Sequence, residues 1–228
     1  MVSAVFAEAA GLERWKLADM TSRTLKDRVS AAVMYDVING EYTVESVISE
    51  KKLSEKLGVS KAPVREALIE LCVQGVLRSV PRQGYVVVPY TERNVQEMIQ
   101  YRRMLECGCL EECFDRITPT QLCRLESIVE SEFLFLSRND TRDFWNHTFN
   151  FHLTLVSFSE NEFIYSRLNS ALSACMRAYL QLYWKKERED FPPPPHLHRE
   201  IVESIRQHDR ARAVDTLRRD ICTLDFPR

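Results

Sequence analysis

The chain has 228 residues, 45% hydrophobic and 28% charged, with a formal net charge of −2. This is ordinary composition for globular protein, with room for two cored domains, and it excludes a largely disordered chain or a fibrous repeat. Seven scattered cysteines, an odd number, offer no disulfide framework, and no leader-like or spanning apolar run accompanies them, so a cytoplasmic protein without membrane contact is expected.

Residues 1–20 are alanine-rich without a motif and read as an N-terminal extension. From Thr24 to Asn39, Leu25, Val29, Ala32, Val33 and Val37 recur at helical spacing, and Asn39-Gly40 ends the run. Ser49 then has the chemistry of an N-cap, Ile48 and Leu53 stand at the positions of a hydrophobic staple, and Gly58 supplies a left-handed C-terminal residue. These signals predict a short helix from Glu50 to Leu57. After the Leu57-Gly58-Val59 turn, Ser60 can cap a second helix, with Pro63 tolerated in its first turn, Val64, Ala67, Leu68 and Leu71 on one face, and Gly75 at its end.

Two short helices about a glycine turn are the sequence form of a helix-turn-helix, whose second helix enters the DNA major groove with its N-terminal residues toward the bases. Lys61 and Arg65 lie one turn apart on the face that the apolar set leaves free, so both can enter the groove. Val76 to Val80 and Tyr85 to Val88 flank Pro81-Arg82-Gln83-Gly84, which predicts a hairpin with a basic tip, a wing. Solvated lysines beside an unrelated β-ribbon are the alternative, but turn, cap, wing and charge placement agree on double-stranded DNA as the partner. Residues 21–90 hold ten Lys/Arg against eight Asp/Glu. So slight a local excess leads us to expect binding as a dimer.

Beyond Pro89-Tyr90 the pattern is helical. Thr91 can cap a helix reaching about Arg116; Thr118-Pro119-Thr120-Gln121 is a capping box opening the next; Asp140 or Thr141 opens a third, through Thr148, Phe151, Leu155 and Phe158. Asn161 begins a fourth, with Ile164, Leu168, Leu172 and Cys175 inward. The charged Lys185 to Asp190 and the stiff Pro192 to Pro195 follow, then helices from His196 to Gln207 and Arg210 to about Leu224, hinged at His208-Asp209. The prediction is a mainly α chain, a winged helix-turn-helix over 21–89 and an all-α bundle of about six helices over 90–228. Cys109 and Cys113, at i,i+4 with Cys107 near, have metal-compatible spacing, but without a second Cys pair they read as small core residues.

Polar residues on apolar stripes mark where a bundle keeps a ligand, because a buried unpaired charge is costly. Arg102 continues the stripe of Val95, Ile99, Leu105 and Cys109; His152 shares a face with Thr148 and Leu155; His198 leads Ile201, Val202 and Ile205; Asp220 follows Ala213 and Leu217. Singly, each reads as a satisfied core or snorkelling group; together they suggest a site.

The run from Ser49 to Val88 resembles the winged-helix domain of the GntR family of bacterial transcription regulators. The family's Ser-Arg-Thr-Pro-Val-Arg-Glu-Ala-Leu stands here as Ser60-Lys61-Ala62-Pro63-Val64-Arg65-Glu66-Ala67-Leu68. Lys61 takes a position commonly held by Arg, and a flexible point charge reads guanine less rigidly than a guanidinium fork. The resemblance implies DNA contacts from Lys51, Ser60, Lys61, Arg65 and the wing residues Arg82, Gln83 and Gly84. Residues 92 to 225 resemble the FadR-type (FCD) ligand-sensing domain of that family: Arg102 to Glu106 matches its Arg-x-x-x-Glu opening, Phe151-His152 with Asn161 its Phe-His…Asn pattern, and His198 to Asp209 its penultimate helix. Many members bind a divalent metal through an Asp and three histidines. Here Thr148 holds the Asp position and Asp220 the last histidine position.

The resemblance therefore implies a homodimeric regulator, a repressor in expectation, whose effector site uses Arg102, Thr148, His152, Asn161, Arg177 and His198. Two versions stay open at this point. His152, His198 and Asp220 hold one divalent ion of the Zn, Ni or Mn type, or they form a metal-free pocket in which Arg102 and Arg177 pair an organic acid. A metal-dependent hydrolase or lyase using the same triad is the reading from another class, but no nucleophile motif, phosphate loop or paired carboxylates support it. A regulator with a vestigial pocket is the third reading.

Overall fold

A computed structural model of the protein describes residues 24–38, 40–136, 141–183 and 197–223. The N-terminal extension, Asn39, Asp140, the 185–196 segment and Leu224 lie outside them. The described residues form two compact units, one of 24–91 with 177–183, the other of 92–176 with 197–223.

In the first unit, helix α1 (Leu25–Ile38) is followed by strand β1 (Val47–Ile48), helices α2 (Glu50–Leu57) and α3 (Lys61–Val73), and strands β2 (Leu77–Val80) and β3 (Gly84–Val87). Helix α1 starts on a reciprocal cap in which the Thr24 and Asp27 side chains each accept the other's backbone N–H at 3.2 Å. Gly58 ends α2 in the left-handed region, at φ 65°, and its N–H donates to Ser54 O. The sheet order is β1-β3-β2, all antiparallel, with Ile48 opposite Tyr85 and Ser79 opposite Tyr85 on the other side. Val29, Val33, Leu53, Val64, Leu68, Leu71, Leu77 and Val87 share one buried cluster that seats α3. Leu25, expected in the core, is 47% exposed.

Strand β1 was not foreseen. It is two residues long, too short to alternate visibly, and it exists by pairing with the distant β3. That pairing also explains Gly84: a Cβ there would come within 2.5 Å of Ile48 O, so the wing strand can approach β1 only through a glycine.

The second unit is built from α4 (Glu92–Cys113), a 3-10 turn (Phe114–Arg116), α5 (Pro119–Leu136), α6 (Thr141–Ser157), α7 (Glu162–Tyr183, whose residues from 177 group with the first unit), α8 (His198–Arg206) and α9 (Arg210–Thr223). The helix expected to reach Arg116 thus tightens to 3-10 geometry after Cys113. The capping box of α5 is reciprocal, with Gln121 Oε1 accepting from Thr118 N at 2.8 Å and Thr118 Oγ1 from Gln121 N at 3.3 Å. His208, at φ 55°, makes the turn between α8 and α9, and Asp209 caps α9 through Arg212 N. Helix α9 packs on α8 and α4, α5 on α6 and α8, and α4 on α6. Cys107, Cys109 and Cys113 are buried on α4, as core residues should be. None of the described helices is long and apolar enough to cross a membrane.

Candidate functional site

On the first unit, Lys61 and Arg65 stand exposed on successive turns at the N-terminus of α3. Ser60 is its N-cap residue, in extended geometry and without a side-chain capping bond, so its hydroxyl is not spent on the helix. Lys51, in the first turn of α2, is 76% exposed at the side chain and 4.0 Å from Glu55. At the wing tip Arg82 adopts φ 63° and Gln83 N donates to Val80 O at 3.1 Å. A non-glycine residue in the left-handed region is mildly strained, and such strain concentrates where side chains work. A contact that the sequence did not disclose joins α2, α3 and β3. Arg65 donates from Nε and Nη2 to the two oxygens of Glu50, at 3.0 and 2.9 Å, and Tyr85 Oη donates to Glu50 Oε1 at 3.2 Å. These bonds, Arg65's foremost, hold the Glu50 carboxyl below the usual range against the opposing effect of burial.

The second unit buries a polar cluster drawn from four helices: Arg102 and Glu106 of α4, His152 of α6, His198 of α8 and Asp220 of α9. Arg102 and Glu106 are fully buried, and Arg102 Nε donates to Glu106 Oε1 at 2.7 Å. Glu106 Oε2 lies 2.7 Å from His152 Nδ1, which fixes the orientation of the imidazole. His152 Nε2 faces Asp220 Oδ2 at 3.3 Å, with His198 Nε2 at 3.5 Å from the same oxygen, while Asp220 Oδ1 accepts from Leu197 N at 2.8 Å. Phe151 stacks on the His198 ring, 3.8 Å between centroids at 14°, and holds its plane. Thr148 is buried one turn before His152.

Burial pushes the Asp220 carboxyl upward, but the His198 and His152 imidazoles facing it outweigh burial and hold the group well below the carboxylate range. Burial acts likewise on Glu106, where Arg102 and His152 win and hold it low. Both therefore stay ionised at neutral pH. Arg102 Nη1 and Nη2 are buried and have no hydrogen-bond acceptor among the described residues.

Ligand atoms of His152, His198 and Asp220 lie within 4.8 Å of one another, all three residues buried. Two imidazoles and a carboxylate, one imidazole oriented by Glu106, fit a divalent ion with positions left open. Thr148 adds no fourth charged ligand.

Two residues expected at this site have polar partners outside the cluster. Asn161 is exposed and caps α7, its Oδ1 accepting from Ile164 N at 3.0 Å. Arg177 groups with the first unit, where Nη2 donates to Tyr90 Oη at 3.1 Å. Glu106 was overlooked as a site residue, although its i,i+4 spacing from Arg102 was a usable signal. A groove lined by Glu111, Phe114, Asp115, His208, Arg210 and Val214 shares no residue with the cluster, and Arg210 there is already paired with Asp115.

Comparison with known proteins bears on both units. The model for bacterial regulatory proteins of the gntR family matches residues 25–87, and the FCD domain model matches 97–222. The chain is 24% identical over 193 residues to the gluconate operon transcriptional repressor of Bacillus subtilis (strain 168), covering 83% of this chain and 79% of that one. It is 23% identical over 178 residues to the transcriptional repressor RspR of Escherichia coli (strain K12), covering 76% and 75%. Among solved structures, E. coli McbR/YncC superposes with TM-score 0.69 at 20% identity, over 87% of this chain and 94% of that one. A chain from Rhodococcus sp. RHA1 described as a GntR transcriptional regulator gives 0.70 at 20%, over 89% and 99%. At such identity these structures speak for the fold alone. The two domain matches, in the order in which the two units occur, establish that the chain belongs to the gntR family of bacterial transcriptional regulators and carries an FCD domain.

Proposed function

We propose that the chain is a cytoplasmic homodimer that binds a short inverted-repeat operator and represses from it. In this reading operator affinity is set by a small carboxylate-bearing metabolite in the buried cluster of the helical unit. Lys61 and Arg65 read bases, and Lys51, Ser60, Arg82, Gln83 and Gly84 position the backbone and wing. One compact recognition element per chain with little net positive charge calls for two copies on a two-fold operator. The names of the two sequence relatives support the repressor sign.

The observation that carries the effector reading is the Arg102 guanidinium, wholly buried with both Nη groups lacking an acceptor. A buried guanidinium cannot shed its proton, and an unsatisfied fork is a standing cost that a planar carboxylate removes by two parallel bonds. His152, His198 and Asp220 would hold a divalent ion beside it, and such an ion would offer its open positions to an oxygen of the same metabolite. Thermal melting of the full chain with a panel of small hydroxy, keto and dicarboxylic acids tests the reading. At about 100 times its Kd an effector stabilises by roughly 2.7 kcal/mol. The shift should vanish in Arg102→Met. If no acid raises the melting temperature of the wild type, or if one raises it equally in Arg102→Met, this reading of the site is wrong.

A further inference from the structure

The Glu50 carboxylate is out of place on a surface meant for DNA. It stands in the first turn of α2, where it repels phosphate, and it occupies Arg65, which the DNA-binding reading assigns to the bases. The geometry resolves this. Glu50 takes Arg65 by the Nε–Nη2 edge, with Nε to Oε1 at 3.0 Å and Nη2 to Oε2 at 2.9 Å. A guanidinium has five N–H groups in one plane, and clasping that edge uses Nε–H and one Nη2–H. The opposite edge, Nη1–H and the second Nη2–H, remains as the two-pronged fork that matches guanine O6 and N7. Glu50 is itself held, because Tyr85 Oη donates to its Oε1 at 3.2 Å. Tyr85 sits in the middle strand of the sheet, opposite Ile48 on one side and Ser79 on the other. The Glu50 side chain is 22% exposed whereas that of Arg65 is 62% exposed, so the carboxylate is the fixed member and the guanidinium the presented one.

We propose that Glu50 is a positioning residue for base readout: anchored by Tyr85, it docks Arg65 by one edge and presents the other edge to the major groove. This rests on the DNA-binding reading of α3. A long flexible arginine left free would find phosphate as readily as a base, since phosphate attraction is sequence-independent. Glu50 thus trades non-specific affinity for discrimination, and the wing strand, through Tyr85, takes part in setting the direction of a side chain on the recognition helix.

The test is in vitro selection from a random duplex pool with the full chain as wild type, Glu50→Gln, Glu50→Ala, Tyr85→Phe and Arg65→Ala, with affinity for the unselected pool measured alongside. The expected result is a base preference in the wild type that Arg65→Ala abolishes. In Glu50→Ala that preference falls by roughly five- to a hundredfold, the discrimination a good bidentate contact supplies, while affinity for the unselected pool holds or rises. Glu50→Gln, which keeps one acceptor, and Tyr85→Phe, which frees the carboxylate, should fall between. A merely structural Glu50 would lower the melting temperature and weaken all sequences alike. Either that pattern or an unchanged base preference in both Glu50 variants overturns the proposal while Arg65→Ala still confirms the DNA reading. Failure of the wild type to enrich any sequence overturns both.

Discussion

Removing the Glu106 carboxylate should be among the most damaging single changes in the helical unit. Glu106 and Arg102 are both 0% exposed, and Glu106 supplies the acceptor at 2.7 Å from Arg102 Nε as well as the carboxylate at 2.7 Å from His152 Nδ1. In Glu106→Ala the arginine stays charged and has lost its counter-ion in a medium that solvates it poorly. Breaking one half of a buried pair typically costs about 3 to 5 kcal/mol. With a urea slope of about 2 kcal/mol per molar, the unfolding midpoint of the full chain, followed by far-UV circular dichroism, should fall by roughly 1.5 to 2.5 M. The double variant Arg102→Met with Glu106→Leu replaces both charges by apolar groups of similar size and should recover most of that loss, because the penalty lies in the orphaned charge rather than in the pair. A midpoint shift under roughly 0.5 M in Glu106→Ala, or a double variant as unstable as the sum of its singles, would show that the orphaned Arg102 charge is not what destabilises the unit.

Arg65→Ala and Lys61→Ala should each weaken specific binding by roughly tenfold or more without moving the melting temperature, since both side chains are exposed; unchanged affinity in both would remove the recognition role from α3. Light scattering at micromolar concentration should give a dimer, and footprinting a symmetric site; a monomer on an asymmetric half-site contradicts the assembly. If the His152, His198 and Asp220 site is loaded, elemental analysis should find near one divalent ion per chain, lost in His152→Ala together with stability; a metal-poor chain that still answers to a carboxylate through Arg102 selects the metal-free version. Burial pushes the Cys107 and Cys113 thiols up to about 11, so iodoacetamide at mildly alkaline pH should spare them and modify the exposed Cys123, which peptide mass spectrometry reads directly.

What could be read from the sequence was what local chemistry decides. Gly58 at the end of α2 and the Thr118–Gln121 box work within a few residues, and each stands where its pattern placed it. The family was legible for the same reason, since the Ser60 to Leu68 run is contiguous. What stayed hidden depends on partners far along the chain. Strand β1 needs β3, and Glu50 looks like a good first-turn acid until Arg65 and Tyr85 meet it. Glu106 is spaced to pair with Arg102, but i,i+4 ion pairs are usually solvated, and only the packing of α6 and α9 on α4 puts this one inside. Asn161 shows the opposite case: an Asn before a helix is first of all a cap, and its Oδ1 accepts from Ile164 N.

For the buried cluster of the helical unit to govern DNA binding, a ligand must have different affinity for two states of the chain. The measurement is the anisotropy titration of a labelled operator, chosen by selection from random duplex, with the full chain at fixed salt, with and without the carboxylate that best raises its melting temperature. Operator affinity should change by about five- to 150-fold, and the change should disappear in Arg102→Met. A carboxylate that binds with normal affinity while operator affinity stays constant, or one that the protein turns over, would show that the cluster does not control DNA binding.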